Sequence, residues 1–404
     1  MRDLFGEEAA RFAYLEDQAK KIFPLYGFSE VRTPILEPAG LFAKGVGEET
    51  DIVGKEMYLL QDRNGQALAL RPEGTASVVR AVANANLMKQ SKQQRLFYFG
   101  PMFRYERPQK GRFRQFYQIG VELFGVAGPE ADFELLLLLR QYFAAINLQG
   151  VAFQLNSIGC GAPACRPAYK AKLIGFLSNQ RQELCEDCQR RLEQNPLRVL
   201  DCKQPGCIAL TIDAPQSHQH LCQDCDTHFS QLQSYLQQAG VSYSLNPKLV
   251  RGLDYYSRTV FEVYSSNLGA QSAAGGGGRF DDLFAQYGAD ATPAVGFALG
   301  LDRLAMLAEL PATLPQGAFV IGFDKNAVMA EVARLREAGL TCHYDPDFSS
   351  MKSQFKQADK AGVAYAVILG EEELANGQAT VKHLATGEQE RLTLEKMRFK
   401  LAGN

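Results

Sequence analysis

The 404-residue chain lacks any apolar run long enough to cross a bilayer. Its apolar runs, such as Leu135 to Leu139, fall far short of the ~20 residues a spanning helix needs, so no membrane partner is expected. The N-terminus, MRDLFGEEAARFAYLEDQAKKIF, also lacks the basic-then-apolar order of a leader. It has the spacing of an acidic amphipathic helix, and a cytoplasmic chain is expected. An excess of one charge sign is missing too: 43 Lys and Arg stand against 45 Asp and Glu, a net charge of -2. Any nucleic-acid partner must then be met by local basic patches. There is no GK[ST] sequence, so the run GGGGRFDD is not a phosphate loop of that type. Glycine backbone beside a strand instead lets a small substrate approach closely. Tandem repeats and low-complexity tracts are absent. What is present is ordinary globular composition, 46% apolar and 22% charged, with length for two or three domains.

The most informative stretch is FYFGPMFRYERPQKGRFRQFYQIGVEL, residues 97 to 123. Its period-two pattern predicts a hairpin around the turn RPQKG. Arg104 and Glu106 share one face of the first strand, and Arg112, Arg114, Phe116, Gln118 and Glu122 share one face of the second. Phe97, Phe99, Phe103, Tyr105, Phe113, Tyr117, Ile119, Val121 and Leu123 form the opposite, apolar face. Guanidinium forks suit phosphate oxygens, and an aromatic ring can stack on a purine. A salt-bridged surface hairpin would need no such density of Arg, Glu and Phe on one side.

Two further arginines join this set. Arg251 sits in LVRGLDYYSRTVFEV, ahead of a strand predicted over Tyr255 to Tyr264. Arg303 follows Gly300 in AVGFALGLDRLAML, in the first turn of a predicted helix, a setting that favours anions. Elsewhere the pattern predicts a first helix to about Tyr26, an extended segment around Pro34, a short helix over Glu73 to Ala85 after RPEGT, and a helix over Phe133 to Ala145. Residues 160–245 are rich in Cys, Gln and Arg with helical spacing and read as an insertion. ELPATLPQG reads as a linker, and the alternating β and α segments beyond Ala318 as a small α/β domain.

FRYERPQKGRFRQF, LVRGLDYYSRTVFE, GGGGRFDDL and AVGFALGLDR resemble the signature segments of class II aminoacyl-tRNA synthetases, and LVRGLDYY resembles the histidyl-tRNA synthetase family in particular. The class I marks HIGH and KMSKS do not occur. The resemblance covers nearly the whole chain. It implies an α+β fold: an antiparallel sheet flanked by helices, with a helical insertion and a C-terminal α/β anticodon-binding domain. The implied division is a catalytic domain in two parts (1–159 and 246–309), an insertion (160–245), a linker (310–316) and the anticodon-binding domain (317–404). The implied reaction is activation of L-histidine with ATP and Mg2+, then transfer of histidine to the 3′ end of histidine tRNA. FSEVRTPILEP resembles the family's dimerisation motif, which implies a homodimer. A non-catalytic relative, the synthetase-like subunit of ATP phosphoribosyltransferase, tends to lose the ATP-site arginines and lacks the last domain; here both are present.

By the same resemblance, Arg104 would hold the α-phosphate, with Arg251 against it as the second catalytic residue. Glu106 would meet the adenine side, Phe116 would stack on adenine, Arg112 would join the ATP site, and Arg303 would bind the γ-phosphate end. Glu73 and Thr75 would take the α-amino group, with Gln118 and Glu122 lining the same pocket and Tyr255 and Tyr256 near the imidazole. Many relatives have Tyr where this chain has Phe280, so a hydroxyl that could contact imidazole is missing. Arg107, Lys110, Arg112 and Arg114 would face the acceptor end of the tRNA. Lys352, Lys356 and Lys360, spaced four apart, would stripe one helix face toward the tRNA in the last domain.

Nine cysteines in a chain expected to be cytoplasmic should be reduced or metal-bound. Cys185-x-x-Cys188 and Cys222-x-x-Cys225 are knuckle-like pairs and candidates for a structural Zn2+. Cys202 and Cys207 lie between them and Cys160 and Cys165 upstream, enough thiols for two four-thiolate sites. His218, His220 and His228 are alternative ligands. The family's chemistry does not generally require zinc, so the metal's role would be structural.

Overall fold

The computed structural model describes residues 1–47, 50–107, 109, 111–265, 268, 273–309 and 316–402. The chain divides into two compact units, residues 1–309 and 310–404.

An eight-stranded sheet organises the first unit. Its strands lie in the order Ser29–Glu30, Gln94–Phe103, Gln115–Phe124, Ala294–Gly300, Ala273–Arg279, Ser257–Ser265, Val151–Ser157 and Tyr243–Leu245. The six inner strands pair antiparallel; only the two short edge strands pair parallel with their neighbours. Alternation in the second hairpin strand sends Ile119, Val121 and Leu123 to one face. There they meet Phe97, Phe297, Phe261 and the helices Gly6–Ile22 and Pro129–Ala145, which contribute Leu15, Leu135, Leu139 and Tyr142. Phe116, Gln118 and Glu122 point to the other face.

The hairpin loop is longer than the alternation suggests. The strands end at Phe103 and resume at Gln115, so Arg104 to Arg114 belong to the connection. The cause lies in the backbone: Tyr105 N–H donates to Glu56 O at 2.7 Å, drawing the chain out of the ladder. Tyr105 therefore leaves the apolar face. It is 55% exposed, beneath the guanidinium of Arg114. Similarly, the strand expected from Tyr255 begins at Ser257, and both tyrosines precede it.

The glycine run is itself a central strand, Ala273–Arg279, paired on both sides. Low β propensity hides it, but its neighbours leave no room for side chains. A Cβ on Gly276 would lie 2.7 Å from Arg251 Nη1 and 2.6 Å from Phe261 O.

Between Ser157 and Tyr243 the chain forms the helices Arg166–Ser178, Glu186–Gln194, Pro205–Leu210 and Gln223–Gln238. Tyr169, Leu173, Leu177, Leu192 and Val199 join a second core that also holds Tyr98, Phe124, Tyr255 and Phe280. A three-stranded sheet, Leu36–Pro38, Ala67–Leu70 and Tyr58–Gln61, stands apart from the large one.

The second unit has a five-stranded mixed sheet, in the order Cys342–Tyr344, Ala318–Gly322, Tyr365–Leu369, Gln378–His383 and Gln389–Thr393. Helices Lys325–Glu337, Met351–Ala361 and Leu394–Ala402 accompany it. Among the described residues no helix is long and apolar enough to cross a membrane.

Candidate active site

Above the polar face of the large sheet lies a cavity of about 210 Å3. Eleven residues singled out in the sequence line it together: Glu73, Thr75, Arg104, Glu106, Arg112, Phe116, Gln118, Arg251, Tyr255, Tyr256 and Arg303. They come from five separate stretches of chain, which only the sheet brings together.

At one end the cavity is acidic. The helix Thr75–Asn84 starts there, and the Glu73 carboxylate accepts from the backbone N–H of Thr75 and of Ala76, both at 2.8 Å. Thr75 Oγ1 donates to Glu122 Oε1 at 2.6 Å, and the Tyr255 hydroxyl lies 3.5 Å from Glu73 Oε2. Glu122 is fully buried and sits behind the lining. Burial pushes the Glu73 carboxyl above the usual range, against the pull of its two N–H donors. Burial pushes Glu122 well above it, and the nearby charge of Glu73 adds to the rise. Two carboxylates so placed favour a cation.

At the other end guanidinium groups converge. Arg104 Nε donates to Pro72 O at 2.9 Å, and its guanidinium carbon lies 5.2 Å from the centre of the Phe116 ring. Arg112 pairs with Glu106 at 3.1 Å. Arg303 donates to Gly111 O at 3.2 Å and Ala273 O at 2.5 Å. Burial, with the neighbouring charge of Arg112, draws Arg303 below its ordinary value, yet a guanidinium stays charged. Arg251 Nη1 donates to Glu262 Oε1 at 2.9 Å and stands over Gly276. Four fixed guanidiniums at one cavity suit an oligophosphate.

Phe280 does not line the cavity. It is buried behind Tyr255, at 5.6 Å between ring centres, and packs on Phe124. Arg107 and Arg114 lie outside the lining, on the connection; Lys110 lies outside the described residues. Lys352, Lys356 and Lys360 are exposed on one side of the helix Met351–Ala361, opposite the buried Gln354 and Ala358.

Two residues that hold this frame escaped the sequence pattern. Asp302, in the cavity wall, accepts from Tyr117 N–H at 2.8 Å and ties the Arg303 helix to the hairpin. Its place beside Arg303 in GLDR was the available signal. Arg279, wholly buried, pairs with Asp132 at 2.6 Å and donates to Val126 O and Gly128 O, anchoring the glycine strand. Nothing in the alternation marks a buried arginine.

The eight cysteines of residues 160–225 gather into two quartets, Cys160, Cys165, Cys222, Cys225 and Cys185, Cys188, Cys202, Cys207. The two CxxC pairs therefore fall in different quartets. His228 lies instead beside Asp132 at 3.4 Å, and His220 beside Lys172 at 3.2 Å.

The antiparallel six-stranded core and its cavity, acidic at one end and guanidinium-rich at the other, define a class II aminoacyl-tRNA synthetase. Residues 1–304 match the histidyl-tRNA synthetase family and residues 319–403 the anticodon binding domain. The chain is 47% identical over 397 residues to a histidine–tRNA ligase of Trichlorobacter lovleyi, covering 97% of this chain and 94% of that one. It is 48% identical over 394 residues to one of Maridesulfovibrio salexigens, covering 96% and 95%. A crystal structure of apo S. aureus histidyl-tRNA synthetase superimposes with a TM-score of 0.82 at 31% identity, covering 100% of this chain and 98% of that one. This chain belongs to the histidyl-tRNA synthetase family.

Proposed function

We propose that the cavity joins L-histidine to ATP, forming histidyl-adenylate and pyrophosphate, and then passes the histidyl group to the 3′ end of histidine tRNA. The observation that carries the reading is the polarity of the cavity: buried carboxylates at one end and four guanidiniums at the other. The ammonium of the amino acid meets Glu73 and Thr75, with Glu122 holding Thr75 from behind. Gln118, Tyr255 and Tyr256 border the space for the imidazole, whose polar nitrogens permit strong discrimination.

Attack of the substrate carboxylate on the α-phosphorus needs alignment and charge neutralisation more than a protein base. Arg104 and Arg251 hold the α-phosphate from two sides, and Arg303 takes the far phosphates. Arg112 and Glu106 border the nucleotide, and Phe116 stacks on adenine. Asp302 and the glycine strand fix this frame from behind. The protein donors here are richer in guanidinium than in carboxylate. Mg2+ would therefore come with ATP rather than be held by these side chains, and would supply charge that helps the pyrophosphate leave.

Arg107, Arg112 and Arg114 on the connection meet the acceptor end, a role shared by Lys110, which lies outside the described residues, and the lysine stripe of residues 352–360 meets the tRNA elsewhere. The domain division follows: 1–159 and 246–309 for the reaction, 160–245 as insertion, 310–316 as linker, of which 310–315 lie outside the described residues, and 317–404 for the anticodon. Leu36 and Leu60 are exposed on one face of the small three-stranded sheet, apolar surface suited to a homodimer interface. The setting is the cytoplasm. A structural Zn2+ in the insertion completes the reading, outside the reaction itself.

ATP–pyrophosphate exchange on the purified chain, with each of the twenty amino acids in turn, tests the reading. Exchange with histidine alone is expected. A folded chain that binds histidine but exchanges with none would favour a regulatory, non-catalytic role.

A further inference from the structure

We infer that the insertion holds two Zn2+ ions, each bound by four cysteine thiolates. The outer ion sits on Cys160, Cys165, Cys222 and Cys225, and the inner ion on Cys185, Cys188, Cys202 and Cys207. This extends the reading of one structural Zn2+, and its test does not depend on aminoacylation.

Convergence of the sulfurs is the first argument. Within each quartet all four Sγ atoms lie within 4.8 Å of one another. The separations of Cys160 from Cys222 and of Cys185 from Cys202 are 3.8 and 3.9 Å. A disulfide needs about 2.05 Å. A Zn–S bond of about 2.3 Å in tetrahedral geometry sets the sulfurs about 3.8 Å apart. Thiols buried only for their apolar bulk have no reason to aim four sulfurs at one point.

Backbone N–H groups already point at the sulfurs. Cys165 Sγ accepts from the backbone N–H of Cys160 at 3.3 Å and of Cys222 at 3.4 Å. In the inner quartet Cys185 N–H donates to Cys207 Sγ at 3.3 Å, and Gln204 N–H to Cys202 Sγ at 3.4 Å. Such donors orient and stabilise metal-bound sulfur. Cys185 and Cys222 each cap a helix N-terminus, those of Glu186–Gln194 and Gln223–Gln238, where negative charge is favoured.

The sequence repeats the donor set. CGAPAC at 160–165 and CKQPGC at 202–207 share the form C-x-x-P-x-C, and LCEDC at 184–188 and LCQDC at 221–225 share L-C-x-D-C. The two kinds alternate along the chain, and each quartet takes one of each kind, the inner nested within the outer. The same tetrathiolate is thus built twice.

Placement gives the two ions different work. The outer quartet closes the base of the insertion, joining the exit from Val151–Ser157 to the start of the returning helix Gln223–Gln238. The inner quartet brackets the helix Glu186–Gln194 and the turn after it. Arg191 there pairs with Asp51 at 2.9 Å, and Asn195 donates to Asp254 at 2.7 Å, within the loop that carries Arg251, Tyr255 and Tyr256. The inner ion fixes the part of the insertion that braces this loop.

Metal analysis of the intact chain, purified in reducing buffer without chelator, is the test. Two Zn2+ per chain are expected, falling to one in Cys207→Ser and to one in Cys225→Ser. Replacement by Co2+ should give the thiolate charge-transfer absorption of tetrahedral Co2+, halved in either variant. Fewer than two ions in the intact chain would overturn the proposal, as would iron in their place. Retention of both ions by either variant would overturn the ligand assignment without touching the exchange reaction.

Discussion

The Thr75 hydroxyl donates a hydrogen bond to Glu122 at 2.6 Å while its backbone N–H donates to Glu73, so one residue holds both buried carboxylates in place. If these carboxylates receive the ammonium of histidine, the hydroxyl is worth a hydrogen bond to a charged group, about 1.5–3 kcal/mol. Thr75→Val, similar in shape but without the donor, should raise the KM for histidine by about 10–100-fold in pyrophosphate exchange. The KM for ATP should stay unchanged. An unaltered histidine KM would remove the ammonium from this end of the cavity.

Glu122 also makes stability depend on pH. Its carboxyl is raised in the folded chain, chiefly by burial, so the folded state holds the proton more tightly than the unfolded state does. Stability is then greatest below the ordinary carboxylate range and declines as pH rises through the raised value. Glu122→Gln removes this decline and keeps an acceptor for Thr75. Thermal unfolding of the ligand-free proteins should give similar midpoints near pH ~5 and a higher midpoint for the variant near pH ~8. A difference that shrank with rising pH would contradict the assignment.

Arg279 and Asp132 form an ion pair with no exposed surface. Removing Asp132 leaves Arg279 with Asp281 at 3.2 Å and two carbonyls, so the cost should lie toward the lower end of the ~3–5 kcal/mol for breaking a buried pair. Asp132→Ala should therefore lower the denaturation free energy by about that amount. Pairing it with Arg279→Met should recover part of the loss, because the double variant leaves no stranded charge. Equal stability of the single and double variants would mean that Asp281 and the surrounding carbonyls satisfy the guanidinium.

Much of this was legible beforehand, and the exceptions share a cause. Period two correctly put Phe116, Gln118 and Glu122 on one face, because the strand beneath them is regular. It failed past Arg104, whose N–H still reaches Arg114 O across the hairpin, because at Tyr105 the backbone bonds outward to Glu56 instead. The glycine run was legible as a place of close approach but not as a strand, since its conformation is imposed by neighbours on both sides. Arg279 was invisible because its partner Asp132 lies on a distant helix. The cysteine spacings suggested metal chemistry, but which pair meets which is a property of the folded chain.

Arg251 bears on the chemical step itself. Its guanidinium is held by Glu262 at 2.9 Å over a strand that only glycine fits, so its position is set before substrate arrives. Arg251→Ala should reduce kcat for exchange by at least ~100-fold, the scale of losing one preorganised donor, while leaving the fold intact. Arg251→Lys keeps the charge but not the fork and should recover little. Near-normal exchange in the alanine variant would refute the role.

Lys352, Lys356 and Lys360 project from the side of their helix opposite the buried Gln354 and Ala358, so replacing them should not disturb the core. As phosphate contacts they would act through counterion release. Each one lost should reduce the salt dependence of tRNA binding by about 0.7–0.9 in the log–log slope. The triple alanine variant should bind tRNA more weakly and charge it at a higher KM, while histidine-dependent pyrophosphate exchange stays at the level of the intact chain. An unchanged salt slope would make this stripe a solvated helix face.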